Sequence, residues 1–157
     1  MNHSPLIRRV AALALPVFAA SVIGLAGPAS ATSGSSSYGF TNGATLTSNI
    51  WLQTWANSSG CSDYSTSVVI SGGWNPAAGN DWVRNRTSFQ AWGLGASLDA
   101  FGQSAKEVSQ EWTNNNGSRG TYMSGQMCEN WLTAGVSGKT AGTAYYNGQT
   151  VSTIASL

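Results

Sequence analysis

Residues 82–92 read Trp82-Val83-Arg84-Asn85-Arg86-Thr87-Ser88-Phe89-Gln90-Ala91-Trp92. Successive side chains on a strand point to opposite faces, so a strand sorts this stretch into two sets. Val83, Asn85, Thr87, Phe89 and Ala91 share one face; Trp82, Arg84, Arg86, Ser88, Gln90 and Trp92 share the other. The period is two rather than 3.6, and it decides for β-structure. A second local signal lies near the end of the chain, in Tyr145-Tyr146-Asn147-Gly148-Gln149-Thr150. Asn-Gly supplies the two positive φ angles of a type I′ turn, which closes a two-residue hairpin. That turn pairs Tyr146 with Gln149, Tyr145 with Thr150 and Ala144 with Val151.

Working outward, the same period recurs. Asn49–Trp55 places Trp51, Gln53 and Trp55 on one face and Ile50, Leu52 and Thr54 on the other. Tyr64–Ser71 is rich in β-branched residues. Leu94, Ala96, Leu98 and Ala100 continue with period two after Gly93 and Gly95, which mark a bulge or bend. Val108–Trp112 and Thr121–Met127 are short strand candidates, and Cys128–Ala134 is another. A short helix over Ser104–Glu111 would bring Glu107 and Glu111 onto one face. Turn sequences (Gly72-Gly73, Asn75-Pro76, Gly79-Asn80, Asn114 to Gly117) separate these runs. The pattern predicts an all-β fold: a small antiparallel β-sandwich, Ig-like or jelly-roll-like, with a small β-barrel as the alternative.

Three segments emerge. Residues 1–31 read as a cleaved signal peptide: Arg8 and Arg9 precede an apolar run, and Ala29-Ser30-Ala31 supplies small residues for cleavage before Thr32. Its character is bacterial, and nothing later is apolar enough to make a stable membrane span. Residues 32–43 have the Gly/Ser-rich composition of a flexible arm, interrupted by Tyr38 and Phe40 at a spacing of two. An extended arm of this kind lodges alternate aromatics in a partner's pockets. Residues 44–157 form a single β domain. Cys61 and Cys128 are the only cysteines, and export to an oxidising compartment predicts that they form a disulfide.

Removing the signal leaves 126 residues with five basic and six acidic side chains. It also removes His3, the only histidine. Ser-His-Asp and Cys-His catalysis, His-liganded zinc and imidazole acid–base chemistry are thereby excluded. No metal or cofactor is expected. Sparse cations argue against nucleic acid, because neutralising several phosphates needs clustered Lys and Arg. Leu, Ile, Val and Phe make up 18 of the 126 residues, a share low enough to warn of disorder. Seven Trp and five Tyr, together with near-zero net charge, argue the other way. Tryptophan then replaces aliphatic residues in the core.

The candidate binding face consists of Trp51, Gln53, Trp55, Trp74, Trp82, Arg84, Arg86, Gln90 and Trp92. Trp and Arg are enriched at protein hot spots, while Trp with amides equally suits sugar stacking. Arg84 and Arg86 either grip a carboxylate or lie over Trp82 and Trp92 as cation–π partners. The leading expectation is a secreted, non-enzymatic binding module. It engages another secreted or cell-surface protein as an adaptor, for example in a toxin or competition complex. The alternatives are a lectin-like module for a polysaccharide, a two-carboxylate glycoside hydrolase using Glu107 and Glu111, and a pore-forming protein.

Overall fold

The computed structural model describes residues 31–53, 60–73 and 81–157. Within them lie ten strands and no helix: β1 (Ala31–Gly39), β2 (Thr45–Gln53), β3 (Cys61–Ser71), β4 (Trp82–Trp92), β5 (Leu98–Ala100), β6 (Gln103–Ala105), β7 (Glu107–Asn114), β8 (Gly120–Glu129), β9 (Gly135–Tyr146) and β10 (Gln149–Ser156). They form two antiparallel sheets, a six-stranded one in the order β1-β2-β3-β8-β5-β6 and a four-stranded one in the order β10-β9-β4-β7. The sheets pack face to face as a β-sandwich.

The two deciding stretches behave as their residues dictate. β4 turns Val83, Asn85, Thr87, Phe89 and Ala91 into the interior, all of them buried. Asn147 and Gly148 both have positive φ, at 49° and 76°, and the hairpin register is Tyr146↔Gln149, Tyr145↔Thr150 and Ala144↔Val151.

The core is not built from tryptophan. None of the five described tryptophans is buried. Two apolar clusters fill the interior instead. One is centred on Ile50, Leu52, Tyr64, Phe89, Leu98, Val108 and Met127. The other holds Phe40, Leu46, Val68, Ile70, Val83, Tyr146 and Val151. A polar waist contributed by inward-facing residues lies between them. Thr87 Oγ1 sits 3.0 Å from Thr66 Oγ1, 3.1 Å from Asn85 Oδ1 and 3.2 Å from Thr140 Oγ1. Asn85 Nδ2 donates to Thr66 Oγ1 at 3.2 Å. Each of these four side chains is at most 1 % exposed, so their polar atoms must satisfy one another.

Small side chains let the sheets approach closely enough for so few aliphatic residues to fill the space. At Gly142, on β9, an added Cβ would overlap Ser48 Oγ and lie 2.6 Å from Val68 Cγ1. Close approach therefore does part of the work that bulk does in an ordinary core.

Several local expectations are corrected. Ser104–Glu111 is not helical: it forms the end of β6 and the first half of β7, whose inward Val108 is 1 % exposed. Backbone pairing of β7 with β4, Phe89↔Val108 in particular, outweighs the helical preference of isolated glutamates. The stretch 128–134 is not a strand either. β8 stops at Glu129, and the Asn130 side chain then caps a turn through Leu132 N (3.3 Å) and Thr133 Oγ1 (3.0 Å). Leu94 lies in a turn rather than on a strand and is 96 % exposed.

The supposed flexible arm contains β1, an edge strand in register with β2 from Ala31↔Gln53 to Gly39↔Thr45. Its serines bond across the pair, Ser35 Oγ to Asn49 Oδ1 and Ser37 Oγ to Thr47 Oγ1, each at 2.8 Å. Composition suggested a linker, but an adjacent unpaired strand edge satisfies the backbone of a Ser-rich segment as well as any other.

Cys61 and Cys128 form the disulfide. They are direct cross-strand partners of β3 and β8, separated by 67 positions in sequence.

Candidate binding faces

The sandwich geometry divides the candidate residues between two opposite outer surfaces. Trp82, Arg84, Arg86, Gln90 and Trp92 project from the four-stranded sheet, because their neighbours in sequence face the core. Trp51 and Gln53 project from the six-stranded sheet, since Ile50 and Leu52 point inward. Trp55 and Trp74 lie outside the described residues.

The outer face of the four-stranded sheet has an aromatic end, a charged middle and a second aromatic end. Trp82 stacks on its cross-strand neighbour Tyr145, with ring centroids 6.5 Å apart and planes inclined by 19°. The Arg84 guanidinium lies 5.0 Å above the Trp82 ring. Arg84 thus makes both kinds of contact, since its Nε also reaches the Glu111 carboxylate, 3.4 Å from Oε1. Next along the face, exposed Arg86 sits between Ala141 and Glu111, and Ser88 between Lys139 and Ser109. Trp92 closes the far end, 51 % exposed, its indole N–H donating to Ser137 Oγ at 3.2 Å. Ten residues of strand separate Trp82 from Trp92, about 33 Å at 3.3 Å per residue. Three of the five basic residues in 32–157, Arg84, Arg86 and Lys139, occupy this one surface.

The opposite outer face is chemically different. Its side chains are mostly hydroxyls and amides, with Trp51 and Tyr122 as its aromatic members. One row crosses four strands: Ser35 Oγ donates to Asn49 Oδ1, Asn49 Nδ2 donates to Ser67 Oγ at 3.1 Å, and Tyr122 lies opposite Ser67. A shallow hollow beside it is lined by Ser33, Ser35, Asn49, Trp51, Ser65 and Ser67. Two carboxylates, Asp63 and Asp99, lie among these outward positions, and Asp63 accepts from Gln126 Nε2 at 3.0 Å.

Tyr38 and Phe40 part company. Tyr38 is 62 % exposed at the sheet edge, whereas Phe40 is buried edge-on against Tyr146 at 5.3 Å. Phe40 is therefore a core residue, unavailable to any partner. Glu107 and Glu111 share the outer face of β7, but four residues of strand place them about 13 Å apart. Paired-carboxylate glycoside hydrolysis needs about 5 Å or about 6.5–9.5 Å, so this pair does not have the required geometry. Among the described residues no three His, Cys, Asp or Glu side chains converge as metal ligands.

Sequence reasoning passed over Trp131, which is 90 % exposed, and Tyr145, which stacks on Trp82. The signal for Trp131 was present in Asn130-Trp131-Leu132, where a turn-forming residue precedes two large apolar ones. Burial does shift one ionisable group: it pushes the Tyr64 phenol above its ordinary value near 10. Tyr64 belongs to the interior, not to either face.

Comparison with models of protein families, with curated protein sequences and with solved structures finds no match to this chain.

Proposed function

We propose that the protein is a secreted, non-enzymatic binding module that holds another extracellular protein on the outer face of its four-stranded sheet. The observation that carries this reading is the placement of tryptophan. A chain short of aliphatic residues still leaves four of the five described tryptophans exposed and the fifth, Trp82, half-buried on an outer face. Trp, Tyr and Arg are the residues that dominate binding energy at protein interfaces, and Trp82, Tyr145, Arg84 and Trp92 share this face. Four strands at about 4.8 Å spacing, over about 33 Å of length, give a flat area of roughly 600 Å². That approaches the roughly 800 Å² that each partner contributes to a standard interface. The disulfide supports an oxidising destination. No described helix is long and apolar enough to cross a membrane.

The test is affinity capture from the native culture medium, with the double variant Trp82→Ala, Arg84→Ala beside the unaltered protein. A co-purifying protein retained by the unaltered chain and lost by the variant supports the reading. Equal capture by both removes this face as the binding surface.

One observation favours a second reading. The opposite face joins Trp51 to a neutral row of hydroxyls and amides, an arrangement that suits stacking on a sugar ring while bonding its hydroxyls. Titration with cell-wall polysaccharides would then quench tryptophan emission in the unaltered protein and not in Trp51→Ala. Lack of response across a glycan array removes it.

A further inference from the structure

One end of the sandwich carries an apolar projection of which only Trp92, at the end of the four-stranded face, is shared with a sheet face. It is made of two turns, residues 93–97 and 130–134. Leu94 is 96 % exposed and Trp131 90 %; Trp92 and Leu132 flank them with 51 % and 37 %. The two turns are bonded into one unit. Ala134 N donates to Trp92 O at 2.7 Å, Asn130 N to Ser97 O at 3.2 Å, and Asn130 Nδ2 to Gly95 O at 2.9 Å. Gly93 completes the seam, because a Cβ there would overlap Leu132 O. The apolar side chains therefore project from a preformed tip. Exposing them has a hydration cost that folding does not recover.

Three features identify the occupant. First, no charged residue occurs in 92–98 (Trp-Gly-Leu-Gly-Ala-Ser-Leu) or in 130–136 (Asn-Trp-Leu-Thr-Ala-Gly-Val). A protein partner matched by charge has nothing to pair with here, whereas uncharged lipid needs none. Second, the tip is small. Four such side chains expose on the order of 500 Å², at about 150–250 Å² for a whole aromatic, and this falls short of the roughly 800 Å² a stable protein interface takes from each side. Third, the composition is that of a membrane–water boundary: two indole rings, that of Trp92 with its N–H on Ser137 Oγ, beside leucines and with Asn and Thr behind.

We infer that the tip formed by Trp92, Leu94, Trp131 and Leu132 inserts into the interface of a bilayer of uncharged lipid, holding the protein end-on at the membrane surface. Strands standing end-on leave both sheet faces perpendicular to the bilayer and accessible, so the inference does not depend on the protein partner proposed above. Anchoring is peripheral: it involves the depth of a few side chains, and salt does not release it, because no ion pair is made.

The test is co-sedimentation of the full chain, as the producing cell processes it, with phosphatidylcholine vesicles. The Leu94→Ser, Trp131→Ser double variant runs in parallel, and circular dichroism confirms its fold. The unaltered protein should partition onto the vesicles equally at low and high salt, and brominated lipid should quench its tryptophan emission. The double variant should partition at least tenfold more weakly. Absence of partitioning at millimolar lipid overturns the inference, as does equal partitioning of the folded double variant. Dependence on anionic lipid, or a double variant that ignores vesicles yet loses an identified extracellular protein partner, also overturns it. The last result would assign the tip to a protein interface.

Discussion

Replacing Thr87 by valine tests how this interior is held together. The change keeps the shape of the side chain and removes one hydroxyl, which lies within 3.0–3.2 Å of Thr66, Asn85 and Thr140. All four residues are essentially inaccessible to water, so no solvent molecule takes its place. Asn85 Oδ1 keeps its carbonyl dipole with its hydroxyl neighbour gone, and the hydroxyls of Thr66 and Thr140 lose a partner. A buried polar group left unpaired costs about 1–3 kcal/mol, well above the net gain from a typical hydrogen bond. For a domain of this size about 1 kcal/mol moves Tm by roughly 4 °C, so the expected fall is about 4–12 °C. Urea denaturation followed by circular dichroism measures it, with exposed Thr113→Val as the control expected within about 0.5 kcal/mol of the unaltered protein. A second arm sharpens the test. Converting the whole cluster (Thr66→Val, Asn85→Leu, Thr87→Val, Thr140→Val) removes every partner together and should destabilise less than Thr87→Val alone. If Thr87→Val proves as stable as Thr113→Val, the waist is not a mutually dependent network and the reasoning fails.

Four further outcomes follow from the same structure. Gly142→Ala forces a methyl group against Ser48 and Val68 and should cost about 1–3 kcal/mol by overpacking, measurable as a lowered urea midpoint. Reducing the Cys61–Cys128 bridge releases a 67-position loop and should lower stability by up to roughly 4 kcal/mol, read as the shift in denaturation midpoint with and without dithiothreitol. Most of the native tryptophan emission should be open to acrylamide, close to the unfolded level; strong protection would contradict the surface placement of Trp51, Trp92, Trp112 and Trp131. Burial raises the Tyr64 pKa, so the unfolded chain loses the phenolic proton first as pH climbs past about 10. Tyr64 thus contributes its full stability below pH 10 and loses it as the pH rises through the folded pKa. Tyr64→Phe should flatten that alkaline decline in melting curves.

The local elements were largely legible in the residues. Alternation in Trp82–Trp92 gave both faces of β4 correctly, and Asn147-Gly148 gave the hairpin and its register, because strand period and turn chemistry are properties of neighbouring residues. The cysteine pairing followed from there being only two. Ser104–Glu111 and residues 32–43 misled for a common reason. Each was judged on intrinsic preference, while its conformation is set by a strand edge that the sequence does not reveal, β4 for the first and β2 for the second.

The sequence by itself determined the class of fold and the bridge. Those properties depend on period, count and residue type, which need no third dimension. Only the tertiary structure decided which aromatic residues pack and which project. Phe40 and Tyr38 are aromatic residues two positions apart in the same segment, yet one is buried edge-on against Tyr146 and the other is exposed to water. An apolar side chain is buried only if another sheet arrives to cover it. Here the sheets meet over Gly, Thr and Ser, closely enough to leave no room for indole, and none of the described tryptophans is buried between them. The same closure brought residues 93–97 and 130–134 together into one tip, a juxtaposition across more than thirty positions that no local pattern encodes.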